Sequence, residues 1–297
     1  MDRNYEYKKE VKSVRWLLFG VILSLFAAEV LFEAVVSFMS VPPHKYLRMA
    51  VVEIAPFLLP MLLLKSSSLK KYNNIKSLRL NNISKGQLAL VILLGMGGQF
   101  VMMLLNLPLQ YIFKVFFHIG EASPELGAVS FWTVIGGVVS VCILPAFLEE
   151  FWMRGLVFEV YNRVSTKNAV LFTTFIFAVF HGRPEEIIGY IFMGLMTIFV
   201  MLRCNSLYAA ILYHFVSNLT ALIFSILIMD LVNYLWLIIF LMVMMFFAVL
   251  IVFYKKYSAV GTVRGKKGVK IFKSSIISLP VILSICIVVL KYILLNT

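Results

Sequence analysis

Residues 145–155 read Pro-Ala-Phe-Leu-Glu-Glu-Phe-Trp-Met-Arg-Gly and close a long apolar run that begins near position 129. Two adjacent carboxylates, Glu149 and Glu150, thus sit where a membrane helix should hold none. A charged side chain at the bilayer centre costs about 3 kcal/mol on insertion scales. Arg154 accounts for one of them: it lies four residues after Glu150, so on a helix the two share a face and can pair. Glu149 points about 100° away, and that pairing does not explain it. A buried carboxylate of this kind is neutral or is placed for chemistry.

The rest of the chain fixes the class. Of 297 residues, 62% are hydrophobic and 14% charged, against roughly half and a quarter in a soluble domain. Apolar runs long enough to cross a bilayer recur throughout, which predicts an all-α, polytopic transmembrane bundle of eight or nine helices. A β-barrel would show short alternating segments instead. Cys142, Cys204 and Cys286 fall in or beside apolar runs, without metal or disulfide spacing. A net charge of +13 would suggest nucleic acid in a soluble protein. Here it reads as the positive-inside rule, with no nucleic-acid partner. The first apolar run is too long for a cleavable signal, carries Glu29 and Glu33, and lacks a small-residue cleavage site.

In chain order, helices are expected at 16–39, 48–64, 87–113, 129 through the Glu pair, 168–181, 186–202, 206–229, 231–254 and 275–295. Basic residues collect in the N-terminal segment, in the loop 65–85 and in the loop 255–273. These loops read as topology signals touching anionic lipid. They predict a cytoplasmic N-terminus, and a plasma-membrane location if the source is bacterial. No internal repeat is evident. One membrane domain over 1–297 is expected, with the first, eighth and ninth helices flanking a core and residues 129–225 forming its motif-bearing part.

Polar groups inside apolar runs suggest the site. His181 ends Phe177-Ala-Val-Phe-His181, and His214 begins His214-Phe-Val-Ser-Asn218. His214 and Asn218 are one turn apart on one helical face, so imidazole and amide can offer two donors to one oxygen, as an oxyanion requires. His181, on another helix, could bond Glu149 or a water beside it, and a carboxylate and imidazole sharing a water form a general base. His44 and His118 fall in expected loops. Glu29, Glu33 and Glu53 read as helix-contact or ion-path residues, and Glu185 and Glu186 as a solvated helix start in preference to a substrate contact.

Glu-Glu-x-x-x-Arg (Glu149, Glu150, Arg154), Phe-x-x-x-His (Phe177, His181) and His-x-x-x-Asn (His214, Asn218), in this order on successive apolar segments, resemble the CAAX protease and bacteriocin-processing family of intramembrane endopeptidases, also called Abi or CPBP. The resemblance covers roughly the middle of the chain. It implies peptide-bond hydrolysis in an intramembrane cavity formed by the motif helices. By that resemblance Glu149 and His181 activate water, and His214 and Asn218 stabilise the tetrahedral intermediate. Glu150 and Arg154 orient the site, while Phe177 packs over it. The implied substrate is a membrane-bound or lipidated peptide or protein, with an auxiliary membrane protein an open question. No cofactor is expected. Zinc on Glu149, His181 and His214 is the alternative, disfavoured because Asn is a poor zinc ligand and a good oxyanion donor. Two rival readings are a non-enzymatic scaffold or bacteriocin-immunity protein on the same fold, and a transporter using Glu149 and His181 as a proton relay.

Depth poses a difficulty. If the fourth helix ends near Arg154, Glu149 lies about 8 Å from the cytoplasmic end, His214 about 12 Å and His181 about 20 Å. Helices must then tilt or end inside the protein. The break Gly182-Arg183-Pro184 is expected to sit below the outer surface.

Overall fold

The structure is a computed structural model that describes residues 3–39, 47–52, 54, 56, 57, 78–118, 131–263 and 273–296. Expectations for His44, Glu53, the acidic loop before residue 131, most of the loop 65–85 and residues 264–272 of the second basic loop lie outside these residues. The described chain is all-α: α1 (Arg3–Val36), α2 (Lys85–Phe117), α3 (Phe131–Asn162), α4 (Thr166–Phe180), α5 (Ile187–Cys204), α6 (Leu207–Leu231), α7 (Leu235–Lys256) and α8 (Leu279–Asn296). Among the described residues, six helical stretches are long and apolar enough to cross a membrane, so the protein is an integral membrane protein. Residues 47–52 are also helical, starting one residue before the expected second helix.

Two compact units group the chain. The first takes residues 1–80, 148–182 and 262–297; the second takes 81–147 and 183–261.

In the first unit the centre is an antiparallel hairpin, the end of α3 joined to α4 by residues 163–165. The fourth helix does not stop near Arg154, as the sequence suggested, but continues to Asn162. Its later polar residues are taken up by partners. Glu159 pairs with Arg79, and Arg163 with Glu10. Tyr161 donates to Ser275 Oγ at 2.9 Å, and Arg15 donates to the same oxygen at 2.9 Å. Tyr161 also stacks on Phe172, ring centroids 4.4 Å apart. Moving the end to Asn162 places Glu149 about 20 Å from it at most. His181 is about 22 Å along α4 from Thr166, so the depth conflict between these two residues shrinks to a few ångströms.

The basic N-terminal stretch is helical from Arg3 rather than from residue 16, and Glu10, Val11 and Val14 are buried. Helix α1 and helix α8, expected to be peripheral, line the same cavity as Glu149. Glycine at 182 ends the hairpin with φ +63°, a left-handed conformation that a side chain disfavours.

In the second unit α2 begins on a capping box. Ser84 Oγ accepts from the Gln87 amide, and the Gln87 side chain accepts from the Ser84 amide, satisfying two helix-end donors. The helix runs on through Gly97, Gly98 and Pro108 to Phe117. The glycines serve close packing against α6 and α7. A Cβ on Gly97 would lie 2.8 Å from both the Met242 carbonyl and Phe246 Cβ, and one on Gly98 would strike the Tyr213 hydroxyl. Overpacking costs about 1–3 kcal/mol, more than the ~1 kcal/mol of helix propensity that alanine adds. Gly97→Ala is therefore expected to lower the thermal midpoint in detergent, since a backbone oxygen cannot swing aside.

Candidate active site

The first unit holds five of the residues singled out from sequence. Glu149 and Glu150 occupy a short α-helical turn (Leu144–Glu150) between two π-helical turns, Val138–Ile143 and Phe151–Phe158. Such wide turns within α-helices occur frequently at functional sites. Glu150 turns inward and meets Arg154, Nε to Oε2 3.1 Å, with both side chains fully buried. The Arg154 guanidinium lies 4.3 Å above the Phe177 ring centroid, a cation–π contact strengthened by burial. Phe177 in turn packs on the His181 imidazole, centroids 4.6 Å apart. An unbroken stack thus runs from Glu150 through Arg154 and Phe177 to His181.

His181 lies just past the end of α4, where helix carbonyls lack amide partners. Its Nδ1 is 2.8 Å from the Phe177 carbonyl oxygen. A carbonyl only accepts, so Nδ1 carries a hydrogen and Nε2 is the nitrogen available for chemistry. That Nε2 is 3.7 Å from Glu149 Oε2. This is too long for a direct hydrogen bond and short enough for both groups to reach one water. The side chains are 19% (Glu149) and 21% (His181) exposed, the accessibility that a reactive pair needs.

Both open onto a cavity of about 240 Å³. Its walls are mostly apolar, with Leu18, Ile22, Phe57, Trp152 and Phe180 among them. Phe57 and Trp152 stack against each other at 6.3 Å. A second charged group faces the same space: Glu29 of α1 and Lys291 of α8, paired at 2.7 Å.

The second unit holds the other two, His214 and Asn218, one turn apart on α6. His214 is buried. Asn218 Nδ2 donates to the Val141 carbonyl at 2.9 Å, within the first π-helical turn. The buried Ser217 donates to Gln99 Oε1 of α2 at 2.9 Å. The Asn218 amide retains a second N–H. Glu185 and Glu186, expected at a solvated helix start, instead hold Arg183, each at 3.1 Å, and Glu185 is buried.

Sequence reasoning missed Gln99, Ser217 and the Val141 carbonyl, and it read Glu29 as a helix contact without its partner Lys291. A lysine within an apolar helix (Lys291) was a signal that could have prompted the search for an acid on another span. Among the described residues, no three His, Cys, Asp or Glu side chains are grouped so as to hold a metal ion.

The helices and this site define an integral membrane protein with a carboxylate–imidazole pair opening on an apolar cavity. Residues 131–220 match the family described as type II CAAX prenyl endopeptidase Rce1-like, a protease family. The matched segment carries Glu149, Glu150, Arg154, Phe177, His181, His214 and Asn218, and so supports the CAAX protease family resemblance of the motifs. No curated protein and no solved structure gave a significant match.

Proposed function

We propose that this protein is an intramembrane endopeptidase that hydrolyses a peptide bond of a membrane-associated peptide or protein through a water activated by Glu149 and His181. The observation that supports this reading best is the Glu149–His181 pair, 3.7 Å apart at the wall of an apolar cavity. Glu149 takes a proton from the water as its oxygen attacks the carbonyl carbon. His181, held at Nδ1 by the Phe177 carbonyl, keeps Nε2 aimed at the same water. The tetrahedral intermediate carries a negative oxygen. In this reading His214 and the second N–H of Asn218 bind it, a type of stabilisation worth about 3–4 kcal/mol per donor elsewhere. The proton then passes to the leaving amine and the C–N bond breaks.

Apolar walls suit aliphatic side chains of a substrate already resident in the bilayer, so the proposed partners are a membrane-bound or lipidated peptide and the lipid itself. The basic flanks favour a cytoplasmic N-terminus; protease protection of an N-terminal tag in sealed vesicles tests that orientation. The decisive assay is cleavage of a membrane-reconstituted peptide by the purified protein, and no cleavage of any membrane peptide in that system would remove the reading.

No step is routed through a metal. Dialysis against a chelator is therefore expected to leave the cleavage rate unchanged. A loss restored by zinc would replace this mechanism with the metallopeptidase alternative.

A further inference from the structure

Lys291 and Glu29 lie outside residues 131–220, so the family match assigns neither a role. Both sit within apolar helices, where an ion is expensive, and both face the cavity that Glu149 and His181 face. Their exposures, 25% for Lys291 and 24% for Glu29, leave the pair open to a ligand in that cavity. A tie between α1 and α8 alone would favour closure by packing, since buried ion pairs add little over apolar contacts.

We infer that Lys291, held in place by Glu29, is the anchor for a carboxylate of the substrate and sets the register in which the peptide meets Glu149. The ammonium has three donors and Glu29 accepts from one at 2.7 Å, leaving donors for a second carboxylate without breaking the pair. Lys291 is the sole Lys or Arg among the described residues lining the cavity. Charge then selects the ligand. A cationic group would have two carboxylates to choose from, Glu29 and Glu149, and on Glu149 it would block the base. A carboxylate has one cation among these described residues and is repelled by Glu149, which favours a single orientation. The carboxylate is that of the chain terminus or of an acidic side chain, since the chemistry is shared. The orienting role rests on the endopeptidase reading; the binding does not.

Binding is measured without turnover in the full-length Glu149→Gln protein in detergent. The probes are a short dansylated aliphatic peptide as free acid, as C-terminal amide, and as amide carrying one Glu side chain. The free acid is expected to bind about tenfold or more tighter than the plain amide. If the Glu-bearing amide recovers the affinity, a side-chain carboxylate serves equally; if it does not, the terminal one is required. Glu29→Met/Lys291→Met, which removes both charges together and leaves no orphaned ion, should bind acid and amide alike, while Lys291→Arg keeps the preference. Equal binding of all three probes before any Lys291 change, or a preference that survives the double Met substitution, overturns the inference. Cleavage by the unsubstituted protein is scored separately. Lys291-dependent binding without any cleavage would sink the endopeptidase reading and leave the anchor standing.

Discussion

Glu149→Gln is expected to lower kcat by about 10²–10⁴-fold, the range for loss of a general base, with little change in KM. The substitution is nearly isosteric, so the cavity keeps its shape and only the proton acceptor is lost. A residue that acts in the transition state alone shows this pattern, kcat falling while ground-state binding persists. Glu149 is also partly exposed, so its neutralisation should leave the thermal midpoint nearly unchanged. The measurement is steady-state cleavage of a reconstituted membrane peptide beside a thermal melt. A scaffold or immunity protein would behave differently: its cellular phenotype would survive Glu149→Gln intact.

Arg154→Met should instead be a folding defect, destabilising by about 3–5 kcal/mol. Removing the guanidinium strands a fully buried Glu150 carboxylate and takes away the cation that lies on Phe177. Replacing both ions, as in Glu150→Leu/Arg154→Met, should recover much of that stability, because buried ion pairs are often matched by apolar residues of similar volume. Activity should remain low in the recovered protein, since the stack that seats His181 through Phe177 is broken. Chemical denaturation of the single and double variants, read beside cleavage, separates the two effects. If the single variant is as stable as the unsubstituted protein, the pair has no structural role.

Local spacing made the core of this site legible. A spacing of four from Glu150 to Arg154 made the ion pair readable, and the same spacing from Phe177 to His181 put the ring over the site. Gly182-Arg183-Pro184 gave the hairpin's end. The all-α class followed from apolar runs alone. What failed was the full burial of a paired charge and the pairing of charges with distant partners. Arg154 looked like a helix terminus because hydropathy treats charge as an end signal, yet its partner Glu150 lets it lie fully buried. Glu159 and Arg163 are likewise met by Arg79 and Glu10, far off in sequence. The same blindness hid the Glu29–Lys291 pair. The π-helical turns flanking Glu149 have no composition signal, since they differ from α-helix by hydrogen-bond register.

The central claim is that Glu149 and His181 act together on one water. A double-mutant cycle tests it most directly, with Glu149→Gln, His181→Ala and the double variant assayed for cleavage under identical reconstitution. Groups serving one event are strongly non-additive, so the double variant should be no slower than the slower single. Losses that multiply would show that the two residues act independently and would contradict the account.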